Sequence, residues 1–196
     1  MLPNKNLNKN EIDECLIPNS CEGGDDDGAT WDIKLTPPTT IEFEDTTSRS
    51  LNNPGPVRVE SVATFSGLNT FLSSYTSITA QIWLTHPVNG NCEIRLYAPD
   101  DSYIVLSNKR GGNNANVFDG TLFTDSASNF VSNYTFSNNV VASSLKPEQQ
   151  LSNFRGKDPN GKWKLWINDT VGGSNGILSK VRLVIQGNFK KFFFFS

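Results

Sequence analysis

The chain has 196 residues, a formal net charge of −3 and 36% hydrophobic residues. That length holds one domain of ordinary size with some tail to spare. Charges of both signs are scattered, which excludes a basic stripe for nucleic acid. No apolar run approaches the ~20 residues that a membrane-spanning helix needs.

Asn, Ser, Thr, Gly and Pro take the place of apolar residues, and no stretch of ten or more residues repeats at the helical period. A turn-rich all-β protein is expected. Met1–Glu14 is polar and lacks the apolar centre of a secretory signal. Asp13–Cys21 resembles the opening of an EGF-like module, but such a module needs about six cysteines, and only Cys15 and Cys21 are local. Either the pair is an unstructured remnant or it closes a local disulfide. Asp25, Asp26 and Asp27 lack the alternate spacing of an EF-hand loop and read as solvated linker. Two proline-bearing stretches, Thr36–Thr40 and Asn52–Pro56, continue the linker, with a short strand around Trp31–Leu35 or Ile41–Glu44. Residues 1–56 are expected to be a polar, largely disordered segment, 57–187 the folded unit and 188–196 a tail. The Phe192–Phe195 run is too short to anchor anything by itself.

From Val57 the texture changes. Ile78, Ala80, Ile82 and Leu84 alternate with Thr79, Gln81 and Trp83, and Cys92, Ile94, Leu96 and Ala98 alternate with Glu93, Arg95 and Tyr97. With the turn at Pro99–Asp101 and a return along Tyr103–Ser107, Thr76–Ser107 reads as three consecutive antiparallel strands. A Gly/Asn-rich loop covers Asn108–Asn116, and Val117–Ala127 brings Phe118, Leu122 and Phe123 close to Asp119 and Asp125. Later, Lys162–Asn168 places Trp163, Leu165 and Ile167 on one face, and Ile177–Gln186 repeats the pattern with Val181, Leu183 and Ile185. With a Gly-rich turn at Gly172–Gly176 between them, these two runs read as a hairpin that needs a second sheet to cover it. Short strands separated by turn clusters indicate a β-sandwich or jelly roll.

Three groups of residues, in order, carry a family resemblance. The first is Thr85-His86, Gly90-Asn91, Glu93-Ile94, Leu96, Ala98-Pro99 and Val105-Leu106. The second is Phe118, Phe123, Asp125, Ser126 and Ala127. The third is Leu151, Phe154, Gly156, Asn160-Gly161-Lys162-Trp163, Leu165, Asp169, Gly173, Gly176 and Leu178. Over residues 60–187 the chain resembles the P domain of proprotein convertases, the module that follows the subtilisin-like catalytic domain of the furin and kexin group. The resemblance implies a galactose-binding-like jelly-roll sandwich and a non-catalytic accessory role. It implies a subtilisin-like catalytic domain as partner, in cis in a longer chain or in trans, whose stability and response to calcium and pH the module tunes. It also implies the secretory pathway. The family has Gly-Asp where this chain has Gly90-Asn91 and Gly173-Ser174, and a Trp where Val181 stands.

His86 is the one histidine, and no serine-nucleophile motif accompanies it, so a structural histidine is expected rather than a triad member. Three cysteines at unrelated spacing argue against a zinc site. Asp119, Asp125 and Asp169 lie nearest the family motifs. One reading makes them calcium ligands at an end of the sandwich, and the other makes each a cap on backbone N–H groups. Asn133-Tyr134-Thr135 and Asn168-Asp169-Thr170 match the N-glycosylation acceptor pattern, and the loop position favours Asn133. Lys109-Arg110 is a dibasic pair in a solvated loop. Trp83, Trp163 and Trp166 offer the rival function, a carbohydrate- or surface-binding jelly roll, although one Trp per strand face more often packs a core.

Overall fold

The computed structural model describes residues 39–51, 57–65, 77–173 and 175–187. Its strands are β1 (Thr39–Asp45), β2 (Arg49–Leu51), β3 (Val57–Phe65), β4 (Ser77–Thr85) and β5 (Cys92–Tyr97). Then come β6 (Tyr103–Asn108), β7 (Phe118–Thr124), β8 (Ser144–Leu145), β9 (Gly161–Asp169) and β10 (Gly176–Gly187). They form two sheets. One has the order β1-β10-β4-β7-β8, with β2 also paired to β10; the other has the order β3-β9-β5-β6. The all-β sandwich expected from the alternating pattern is what the chain builds. Among the described residues no helix is long and apolar enough to cross a membrane.

The alternation works as the strand period requires. On β4 Ile78, Ala80, Ile82 and Leu84 are buried; on β5 Cys92, Ile94 and Leu96; on β9 Trp163, Leu165 and Ile167. On β10 Leu178 is buried, and so is Val181 three residues later. A register shift between Leu178 and Lys180 turns both inward despite that odd spacing. Among the described residues Trp163 is the largest fully buried side chain; its Nε1–H donates to Pro159 O at 2.9 Å and its ring meets Phe154 edge-on at 5.1 Å. Each buried aliphatic or aromatic side chain contributes about 1.5–3 kcal/mol, so this core accounts for most of what holds the two sheets together.

Two expectations about connectivity are corrected. β9 and β10 do not form a hairpin: β9 lies between β3 and β5, whereas β10 pairs with β1, β2 and β4 in the other sheet. The Gly-rich segment between them is an arch from one sheet to the other. Likewise β5 and β6 pair as neighbours, but β4 belongs to the opposite sheet, paired to β10 and β7. The physical reason is shared. Both strands of each pair present an apolar face, and stacking the two faces buries both, which edge-to-edge pairing would not.

Two strands precede residue 57, β1 and β2, and both pair with β10. β1 pairs with β10 along its whole length, Thr39 opposite Gly187 through Asp45 opposite Val181, and packs Ile41 and Phe43 against the core. The Trp31–Leu35 alternative, the Cys15/Cys21 pair, Asp25–Asp27 and the Phe192–Phe195 run lie outside the described residues.

Candidate functional site: a sealed His–Asp hub between the sheets

The pairing registers place Thr85, Cys92, Asn108, Phe118, Asp169 and Gly176 at one end of the sandwich. The β4–β5, β6–β7 and β9–β10 connections all change sheets there. The His86–Asn91 segment is the hub that joins them. To the β6–β7 connection it is tied by His86 N–H to Asn116 Oδ1 (3.1 Å), Asn116 N–H to His86 O (3.0 Å) and Val117 N–H to Asn89 Oδ1 (3.0 Å). Gly90 N–H donates to Gly112 O at 2.8 Å, and a Cβ on Gly90 would sit 2.6 Å from that oxygen, so the backbones meet only because the residue is glycine. To the β9–β10 arch it is tied by Thr170, whose N–H and Oγ1 both donate to Asn91 O at 2.9 Å.

At the centre are His86 and Asp169, both fully buried. His86 Nε2 is 3.3 Å from Asp169 Oδ2, while Asp169 Oδ1 accepts the N–H groups of Val171 and Gly172 at 3.1 Å each. With Nε2–H given to Asp169, Nδ1 accepts from Val88 N–H at 3.1 Å; Val88 O stands 2.8 Å from the same nitrogen. The Nε2–H of His86 and both oxygens of Asp169 thus have partners, whereas Asn89 Nδ2 in the same segment is buried without one. Gly176 closes the far side, where a Cβ would collide with His86 Cδ2.

A His–Asp pair beside a thiol has the residue types of a nucleophilic triad, and Cys92 pairs with Asp169 across β5 and β9. The environment works against that chemistry. Cys92 is fully buried, and burial, with the Asp169 charge second, pushes its thiol up to about 12. Activation would require the opposite shift. The hub therefore locks the crossovers together.

The three aspartates do not converge. Asp119 and Asp125 stand near opposite ends of β7, about 20 Å apart at strand spacing. Asp125 accepts Leu151 N–H and Ser152 N–H, one on each oxygen, both at 2.8 Å. Among the described residues no three His, Cys, Asp or Glu side chains gather closely enough to hold a metal ion. Calcium takes six to eight oxygens, and the oxygens of Asp125 and Asp169 face N–H donors, so this donor set does not fit the ion. What the two have in common is the backbone-capping arrangement.

The three tryptophans form no common platform. Trp163 is interior, Trp166 lies on the outer face of its sheet under the Arg95 guanidinium (4.7 Å), and Trp83 faces outward from the other sheet under Lys180 Nζ (4.7 Å). Lys109 has a left-handed φ of 55°, and Arg110 Nε is held by Glu148 at 2.8 Å, so the dibasic pair sits in a folded loop. Asn133 is exposed. Asn89 and Asn116 did not stand out in the sequence, because an asparagine in a turn carries the same local signal whether it caps its own turn or a distant one; Gly176 stood out as a motif residue, but not its contact with His86.

No curated protein matches the sequence significantly. Among solved structures, the serine protease of Aeromonas sobria is 16% identical over 79% of this chain and 28% of its own, with a TM-score of 0.48. A chain of that protease's complex with the chaperone ORF2 is 14% identical over the same shares, TM-score 0.49. The present chain thus spans less than a third of those chains, and the likenesses are too distant to carry an argument. The family model described as the proprotein convertase P-domain matches residues 75–185, which run from the start of β4 almost to the end of β10 and enclose the whole hub. The chain belongs to the proprotein convertase P-domain family.

Proposed function

We propose that this chain is a non-catalytic accessory module of a subtilisin-like serine endopeptidase, binding the folded catalytic domain and stabilising it, in cis or in trans. The family match over residues 75–185 carries the reading. The sealed hub supports it: His86, Asp169 and Cys92 are fully buried and engaged in holding the fold. A module that binds only the folded protease shifts its folding equilibrium by mass action, about 2.7 kcal/mol at a hundredfold excess over Kd. Co-expressing residues 39–187 fused to, or alongside, a subtilisin-like catalytic domain is expected to raise that domain's thermal midpoint and soluble yield. An unchanged midpoint and yield in both arrangements overturns the proposal.

A further inference from the structure

We propose that Asn133 is an acceptor for an N-linked oligosaccharide, and that Asn168, the other match to the acceptor pattern, is not. The inference is independent of the accessory reading. The two sequences look alike as tripeptides, and the fold separates them. Asn133 sits in an exposed turn closed by its own N–H to Phe130 O at 3.1 Å, and its Oδ1 accepts Ser132 Oγ at 3.2 Å. Tyr134 and Phe136 pack against the core, edge-on to each other at 4.9 Å, and Phe136 stacks edge-on against Phe118 at 5.5 Å. Alternation along this anchored segment leaves Asn133 and Thr135, the two residues the modification needs, exposed together. A bulky hydrated glycan is accommodated only at such a surface position.

Asn168 is placed differently. It lies in β9 between two neighbours, opposite Arg58 of β3 and Glu93 of β5. The residue after it, Asp169, is the buried centre of the hub, and the hydroxyl of Thr170 is already given to Asn91 O at 2.9 Å.

The donor is a polyprenyl-pyrophosphate-linked oligosaccharide. Asn133 Nδ2 forms a bond to C1 of the first sugar, the bond from C1 to the pyrophosphate oxygen breaks, polyprenyl pyrophosphate leaves, and one Nδ2 proton passes to a base of the transferase. The glycan would stand beside Phe130, which is 37% exposed, and screen that apolar surface from water. A glycosylated loop also has to face solvent in any assembly, so a docked partner must use another part of the surface.

The test is expression of the full chain behind a cleavable secretion signal in a eukaryotic cell. Mobility is read before and after peptide N-glycosidase, on both the medium and the cell-associated, signal-cleaved chain. Wild type and Asn168→Gln should each lose the mass of one glycan on digestion. Asn133→Gln and Thr135→Ala should show no shift, and Thr135→Ser should keep it. Because Asn133 is exposed, Asn133→Gln should retain the wild-type thermal midpoint. A signal-cleaved wild type without a shift, a shift persisting in Asn133→Gln, or one abolished by Asn168→Gln overturns the proposal.

Discussion

The two ends of the sandwich are both tied by aspartates, and they use them differently. At the crossover end Asp169 is fully buried, holds His86 on one oxygen and caps Val171 and Gly172 with the other. At the opposite end Asp125 is half-buried and caps the turn at Leu151–Phe154, while the exposed Asp100 and Asp101 reach half-buried lysines, Lys157 at 2.5 Å and Lys164 at 2.8 Å. The chemistry of the caps is the same. What differs is the medium, and a polar group left without its partner costs far more where water cannot replace it. The ranking of the following substitutions tests whether burial, rather than the number of hydrogen bonds, sets the energetics.

Asp169→Ala should be the most damaging. It leaves His86 Nε2–H and two backbone N–H groups without an acceptor in a sealed site, a loss of about 1–3 kcal/mol for each group left unsatisfied, read in chemical denaturation. Asp169→Asn should cost distinctly less. Its oxygen still caps Val171 and Gly172, and its NH2 can donate to His86 Nε2 once the ring proton moves to Nδ1, where Val88 O waits at 2.8 Å. Equal losses for the two variants would show that charge rather than satisfied hydrogen bonding holds the hub.

Gly176→Ala comes next. The new Cβ meets His86 Cδ2 and approaches Thr85 O to 3.2 Å, so either the ring or the first residues of β10 must shift. Overpacking of this kind costs about 1–3 kcal/mol. The same substitution at Gly173 meets nothing within 4 Å, although its φ of +76° still adds some backbone strain. Gly176→Ala should therefore lower the thermal midpoint more than Gly173→Ala.

Asp125→Ala removes as many backbone caps as Asp169→Ala, two N–H groups, but in a half-buried place where water can take over. About 1–2 kcal/mol is expected, with faster amide exchange confined to Leu151 and Ser152. A loss as large as that of Asp169→Ala would break the comparison.

How much of this was legible in the sequence follows from what is local and what is not. Alternation on β4, β5, β9 and β10 identified the buried faces correctly, because the side-chain period of a strand is a property of the strand alone. Which strands pair is not local. A Gly-rich segment after Asp169 serves a hairpin and an inter-sheet arch equally well, and the choice is made by β3 and β5 occupying both sides of β9. The hub is less local still, since His86 and Asp169 are 83 residues apart. The motifs that carried the resemblance contain both residues, so their importance was readable while their contact was not. β1 was legible as the Ile41–Glu44 alternative, since Ile41 and Phe43 show the alternation that packs them on the core, but its pairing with β10, some 140 residues on, was not.

The smallest effect belongs to the exposed end. Lys157 Nζ, with the Ser102 hydroxyl second, holds the Asp100 carboxyl well below the ordinary carboxylate range, at about 2. A carboxyl whose folded-state value is depressed contributes stability above its unfolded value near 3.8, and loses it as pH falls toward about 2. The Asp100 side chain is 50% exposed, so solvent screening limits the pair to roughly 0.2–1 kcal/mol. Lys157→Ala should move the Asp100 titration, followed by carboxyl NMR, back up toward the ordinary value. It should also flatten slightly the loss of stability between pH 4 and 2, while leaving stability at pH 7 within that range of wild type. The hub is indifferent to this substitution, because no hydrogen bond links Asp100 or Lys157 to His86 or Asp169 among the described residues. A large loss at neutral pH from Lys157→Ala would therefore mean that the two ends are coupled through the core, and that burial at one end does not act alone.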